Sequence, residues 1–230
     1  FDTYAMEMAV RFKEANGGAV TVATIGDDKA VQAIRDCLAV GADKGFLLKD
    51  DSFTDSDAAA KAYILSKAVK KLEAMNGVKY DIIFCGKEST DYAGGMVGLL
   101  LAHELCIAGI TDVIAVEQAA DGVSFNQMTE TGYNVVNAAI PAVVTIQKPN
   151  YDPRYPTIKS KLKARKTEVP VISAADLETD ASKVGAAGSP TKLLGLREPP
   201  KKQAGIKIQE ESVADSAQKA IAVMREAKVL

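Results

Sequence analysis

An α/β fold is what this sequence predicts: a doubly wound, mostly parallel sheet with helices on both faces. Three observations predict it. Short β-rich apolar runs alternate along the chain with longer stretches in which apolar residues recur every three or four positions. One of those runs, the IIFC that follows Asp81, has no polar alternation, as expected of a strand covered on both faces. Strand-helix alternation of this kind closes into a parallel sheet through right-handed crossovers.

The elements follow in order. Asp2 is placed to cap a first helix whose Ala5, Met8, Ala9 and Phe12 fall on one face, and Gly17-Gly18 ends it. Residues 20–25 form a strand closed by Gly26; Asp27-Asp28 then opens a helix with Val31, Ile34 and Leu38 inward, ended by Gly41. Residues 46–48 give a short strand. Leu65, Ala68, Val69 and Leu72 mark the buried stripe of a long helix that stops near Gly77. The strand at 81–85 runs into a polar, glycine-rich loop, 86–98, which enters MVGLLLAHEL, a helix apolar nearly all round and therefore expected to be central. After a strand at 113–116 the pattern changes: VSFNQMTE and YNVVNAAI flank Thr131-Gly132 and predict an antiparallel hairpin. Pro141 introduces AVVTI, another core strand. Residues 185–211 form an extended arm with little periodicity. It leads to a last helix that Ser212 and Asp215 cap and whose Val213, Ala217, Ala220, Ile221 and Met224 share a face. The predicted division is a core over 1–184 and an arm with its helix over 185–230.

Composition narrows the function. The chain of 230 residues carries 28 Lys and Arg against 30 Asp and Glu, so it is no basic nucleic-acid glove. Hydrophobic residues make up 47%, and no apolar run approaches the roughly 20 residues of a membrane helix, so no membrane span is expected. Cys37, Cys85 and Cys106 form no C-x-x-C pair, which argues for buried, reduced thiols, a reducing compartment and no structural zinc. The only histidine, His103, lies on the apolar helix and is expected in the core, not as a general base. No nucleophile elbow surrounds a serine, no Ser-His-Asp set assembles and no metal-ligand spacing occurs. Any chemistry must come with a cofactor, and no catalytic or metal-binding residue is assigned.

In open parallel sheets ligands bind outside the carboxyl ends of the strands. Two strands end there in glycine, at Gly26 and Gly86, and the second leads into GKESTDYAGGMVG. Gly94, Gly95 and Gly98 surround the first turn of the next helix, where unpaired N–H groups and the positive dipole end favour an anion such as phosphate. Ser89, Thr90 and Asp91 suit ribose or phosphate oxygens, and Lys87 suits charge neutralisation. The plainer reading is that the glycines only allow tight packing. The stretch has neither the G-K-[ST] of a P-loop nor the order G-x-G-x-x-G. A second feature is YDPRYPTIKSKLKARK at 151–166. Five of the eight residues 159–166 are basic, and Ile158 and Leu162 share one side of a short helix begun after Pro156. This is either a solvated basic face or a docking element, with Ile158 as apolar anchor and lysines such as Lys159 steering an acidic partner.

Taken together, AVTVATIG followed by AIRDCLAVGAD, DIIFCGKESTD with GGMVG, IPAVVTI and YDPRYPTIKSKLKARK resemble the β (small) subunit of electron transfer flavoproteins, collinearly over essentially the whole chain. The resemblance implies a core of the adenine-nucleotide-binding type and a heterodimer with an α subunit. It also implies AMP in the β subunit, an FAD held mainly by the α subunit, and acyl-CoA or other flavin dehydrogenases as partners. In some members FAD replaces the AMP and electrons from NADH are bifurcated. By position, the resemblance implies a nucleotide loop over 86–97 with Gly86, Lys87, Glu88, Ser89, Thr90, Asp91, Gly94, Gly95, Met96 and Val97. It places Ile25 facing the adenosine and Phe1 and Asp2 at the end of an Asn-Pro-Phe-x segment that touches the nucleotide. Ile158 falls at the apolar docking anchor, with Lys159 and Leu162 beside it, and the arm is expected to contact the α subunit. Two departures stand out: the strand that family members carry before Phe1 is missing from this chain, and the usual Asn-Gln-Thr-Gly or Ala-Gln-Val-Gly reads Gly95-Met96-Val97-Gly98, without the Gln side chain. A bacterial cytoplasmic location is expected ahead of a mitochondrial matrix. The alternative from a different class is a flavin-free, homodimeric nucleotide-binding regulatory module; an ATP-cleaving ligase lacks its S-G-G-x-D-S loop.

Overall fold

Along the chain run α1 (Asp2–Asn16), β1 (Thr21–Ile25), α2 (Ala30–Val40), β2 (Lys44–Leu48), α3 (Ala58–Asn76), β3 (Ile82–Gly86), α4 (Val97–Leu105), β4 (Ala108–Ala119), β5 (Gly122–Met128), β6 (Tyr133–Ala138), β7 (Ala142–Ile146), α5 (Ile158–Lys166), β8 (Val171–Ile172) and α6 (Val213–Glu226). The structure, a computed structural model, describes residues 1–119, 122–201 and 204–230; Lys202 and Gln203 of the expected arm lie outside the described residues. Two units are distinct, Phe1–Lys192 and Leu193–Leu230.

The first unit is the α/β fold that the alternation predicts. β1, β2 and β8 pair in parallel. β3, β7 and β4 form a second parallel ladder, which continues antiparallel through the hairpin β5–β6. The hairpin turns at Thr131-Gly132, where Thr129 N–H donates to the Gly132 carbonyl at 2.8 Å. Among the described residues β1 and β3 each pair along one edge only, so the parallel strands are divided between two sheets.

Side-chain alternation shows why helices cover both faces. On β3, Ile82 and Phe84 join Ala5 and Met8 of α1, while Ile83 and Cys85 join Leu101 and Ala102 of α4 and Ala62 of α3. β7 divides the same way, Val144 and Ile146 toward α1 and Val143 toward α4. In the other sheet Phe46 and Leu48 pack with Tyr63, Ile64 and Leu72 of α3. Leu65 touches both the cluster at β1–β2 and the one at β3–β7, so α3 spans the two sheets.

The starts of α3, α5 and α6 follow ordinary capping chemistry. Asp57 Oδ1 accepts the Ala59 and Ala60 N–H groups at the start of α3, and Gly77, left-handed at φ 68°, ends it. Thr157 caps α5 by accepting from Ser160 N–H, and Ser212 caps α6 by accepting from Asp215 N–H. The second unit consists of irregular chain and α6, none of whose residues is buried.

Four local expectations are corrected. Asp2 does not cap α1: Phe1 holds the cap position and Asp2 lies in the first turn, its carboxylate drawn instead to the Gly86 N–H. His103 is exposed, because α4 buries Leu101 and Ala102 on one side and turns Leu99, His103 and Glu104 outward. For the same reason α4 is less enclosed than its composition suggests. Cys106 is exposed too, forced outward by the left-handed backbone that ends α4. Burial pushes the Cys37 thiol up to about 11 and the Cys85 thiol up to about 12. Alkylation by iodoacetamide at neutral pH is therefore expected to label Cys106 first, read by peptide mass, with Cys85 labelled only after unfolding.

Candidate functional site

The site grows from the carboxyl end of β3. Its pairing with β7 carries one residue further than the apolar run suggests, so that Gly86 is still in the strand opposite Ile146. Lys87 N–H then donates to the Ile146 carbonyl at 3.0 Å, and the chain leaves the sheet. A side chain at position 86 has no room. Its Cβ would lie 2.5 Å from Asp2 Oδ1 and 2.8 Å from the Asp2 backbone nitrogen. Glycine here lets the first turn of α1 press against the strand end, and the Gly86 N–H donates to Asp2 Oδ1 at 3.2 Å.

From there residues 87–96 cross the surface. Ser89, Thr90, Asp91, Gly94 and Met96 are exposed; Gly86, Lys87, Glu88, Gly95 and Val97 are half-buried. The loop folds on itself, with Ala93 N–H donating to the Ser89 carbonyl at 2.9 Å. Hydrogen bonding from Ser89 and from the Tyr92 N–H holds the Asp91 carboxyl below the usual carboxylate range. Gly95 takes a left-handed backbone, φ 60°, which reverses the chain into α4. No side chain caps α4, so its first N–H groups are left to solvent or to a ligand. Gly98 lets that helix end sit close to the sheet, since a Cβ there would lie 2.5 Å from Thr145 Cγ2. These glycines thus serve packing at 86 and 98 and a turn at 95.

Lys87 is engaged differently from the expectation that it neutralises a ligand. Its Nζ lies 2.9 Å from Asp112 Oδ1, and hydrogen bonding by Asp112 raises the lysine above its usual value. Asp112 sits at an irregularity in the β4–β7 pairing, at φ 53°, where its own N–H donates to Thr145 Oγ1. Sequence reading missed Asp112, because only strand pairing brings it beside Lys87. Phe1 and Ile25 are the other predicted residues outside the loop. Phe1 is half-buried at the start of α1. Ile25, at the end of β1, packs toward Phe46, Leu48 and Ile64.

The predicted docking residues lie elsewhere, on α5. Ile158 is 81% exposed and Leu162 53%, one turn apart, and Ala164 is buried on the opposite side against the core. Lys159 is exposed. Among the described residues none of Lys159, Lys161, Lys163, Arg165 and Lys166 forms an ion pair.

The class this defines is an α/β sheet protein with an anion-ready loop at a strand's carboxyl end and a separate basic surface helix. Comparison with known proteins gives the family. The model of the electron transfer flavoprotein domain matches residues 1–177. The chain is 36% identical over 219 residues to electron transfer flavoprotein subunit beta of Megasphaera elsdenii, covering 94% of this chain and 81% of that protein. It is 38% identical over 205 residues to the protein of the same name from Thermoanaerobacterium thermosaccharolyticum, covering 89% and 76%. It is also 31% identical over 226 residues, covering 95% and 84%, to acryloyl-CoA reductase electron transfer subunit gamma of Anaerotignum propionicum. The chain belongs to the electron transfer flavoprotein family, among its β subunits. Among the described residues no helix is long and apolar enough to cross a membrane.

Proposed function

We propose that this chain holds an adenine nucleotide, AMP or FAD, in the 86–97 loop and serves as the docking half of a two-subunit electron carrier. The observation that carries the reading is the uncapped start of α4, reached through the left-handed Gly95 at the carboxyl end of a parallel strand. Its free N–H groups fit a phosphate without any lysine. That answers the missing Gln side chain at Met96, because main-chain donors do not depend on residue type. Ser89 and Thr90 stand exposed in the same loop and suit ribose hydroxyls, and the Asp2 carboxylate borders the same strand end.

A flavin, shared with an α subunit, supplies the electron transfer itself. This chain's residues orient the nucleotide and present α5 to flavin dehydrogenases. Ile158 is the apolar anchor, with Lys159 and Leu162 beside it. The irregular chain before α6 and the unburied α6 serve contact with the α subunit, whose surface would cover Val213, Ile221 and Met224. The name of the Anaerotignum relative, an electron transfer subunit of an acyl-CoA reductase, supports partners of the acyl-CoA class.

The test is to denature the purified assembly and identify the released nucleotides. One flavin with AMP per assembly fits a simple carrier, and two flavins fit a bifurcating member. A colourless homodimer releasing no flavin rejects the reading. A further result follows from the Lys87–Asp112 pair. Asp112→Asn is expected to free the ammonium for the phosphate and tighten AMP binding by a few-fold at low salt, with the gain fading as ionic strength rises. Calorimetry on the nucleotide-stripped assembly reads it; equal affinity at all salt concentrations contradicts it.

A further inference from the structure

Glu7 is the one charged side chain among the described residues that is buried, 2% exposed, and nothing in nucleotide binding uses it. Its carboxylate is surrounded by donors. Arg11 Nε reaches Oε1 at 2.6 Å, while the Arg154 backbone N–H, Nε and NH2 reach its two oxygens at 3.1, 2.8 and 3.3 Å. The Arg154 guanidinium also binds Glu14, two turns along α1 from Glu7, at 2.6 and 2.8 Å. Arg11 in turn stacks on the Tyr151 ring, 3.9 Å from its centroid.

This cluster lies at the middle of residues 147–157, which have no regular structure and carry the chain from β7 to α5. Earlier in the crossing the Gln147 N–H donates to the Val113 carbonyl, Pro149 is buried and Tyr151 packs on the cluster around Phe125. At Arg154 a planar fork satisfied on both edges sets the path of the backbone. Immediately beyond Arg154 stand Tyr155, 93% exposed, and Ile158, 81% exposed, followed by the basic residues of α5, which form no ion pair among the described residues. An exposed tyrosine and isoleucine close to a rigid anchor lose little conformational freedom on binding.

We propose that Arg154 is the positioning residue of a preformed docking surface, Tyr155 with Ile158 and basic α5, shaped for an apolar pocket rimmed by carboxylates on a redox partner. This deepens the docking role given above to Ile158 and rests on it. Tyr155 is a second anchor of that surface. A surface held in shape from below suits a carrier that must bind and release quickly, since no ordering step precedes contact.

The test compares Arg154→Gln, Arg154→Lys and Ile158→Ala in the flavin-loaded assembly. Electron transfer from an acyl-CoA dehydrogenase is followed by flavin absorbance, and hydrogen exchange is measured over residues 147–166. Arg154→Gln is expected to speed exchange over 147–157 and to raise the KM for the dehydrogenase about tenfold, flavin content unchanged. Arg154→Lys is expected to behave alike, because one ammonium cannot bridge Glu7 and Glu14, which separates positioning from mere charge. Should Arg154→Gln fail to fold, Glu14→Gln removes only the exposed half of the clamp and is expected to give the same signs at smaller size. Unchanged exchange in these variants overturns the clamp. Faster exchange with an unchanged KM overturns its role in docking, provided that Ile158→Ala raises the KM. If Ile158→Ala also leaves the KM unchanged, the docking reading itself falls.

Discussion

Valine in place of Gly95 is expected to empty the loop of nucleotide while the fold survives. Gly95 stands at φ 60°, where a β-branched residue is forced out of its preferred backbone region, at a cost of about 1–2 kcal/mol. There is space around the position: a Cβ would find only the Lys87 carbonyl at 3.8 Å and a Glu88 oxygen at 4.0 Å. The strain therefore cannot be blamed on a clash and is relieved by moving the chain of 88–96, most of which is exposed. That movement turns the first N–H groups of α4 away from the phosphate they would meet. An affinity loss of about tenfold or more is expected, since each such hydrogen bond to a charged group contributes about 1.5–3 kcal/mol. Calorimetric titration with AMP and thermal unfolding separate the two effects. Lost affinity with a melting temperature within a few degrees of the parent supports the account.

The second large effect is expected at Glu7. Glu7→Ala takes the buried carboxylate from between Arg154 and Arg11 and leaves Arg154 to Glu14 alone; loss of one partner of a fully buried pair costs about 3–5 kcal/mol. Arg154 is 32% exposed and also holds Glu14, so water and a second carboxylate reach it and a loss below that range, about 2–3 kcal/mol, is expected. Urea unfolding of the assembly measures this, and a cycle with Arg154→Met gives the coupling. The pH dependence has a definite sign. Burial pushes Glu7 up, but hydrogen bonds from Arg154 and Arg11 outweigh it and hold the carboxyl below its ordinary 4.5. A carboxyl depressed in the folded state adds stability that is complete above 4.5 and lost as pH falls through the lower folded value. Acidification is thus expected to lower the melting temperature of the parent more than that of Glu7→Gln; parallel pH profiles would contradict the clamp.

Much of this fold was legible because burial writes itself into the order of residues. Strand 82–86 reads as apolar since both its faces are covered, and Gly77 and Ser212 mark helix ends through local backbone chemistry. The 86–97 loop was legible for the same reason: Gly86, Gly95 and Gly98 are each required by a contact or a dihedral within reach of the local chain or its neighbouring strand. What escaped is long-range. Asp112 meets Lys87 only through β4–β7 pairing, and Arg154 meets Glu7 across 147 positions. Glu7 carried a faint signal, an acid flanked by the buried Met6 and Met8 with Arg11 one turn on, but nothing near it in sequence names Arg154. The outward turn of His103 was also hidden, because composition cannot tell which side of a nine-residue apolar helix meets the sheet.

The central claim, that main-chain N–H groups between Gly86 and the first turn of α4 hold a nucleotide phosphate, is tested most directly by hydrogen exchange on the nucleotide-stripped assembly with and without AMP. Slower exchange confined to peptides spanning residues 86–100 is the expected result. Unchanged exchange there, while AMP binds and protects some other segment, would contradict it.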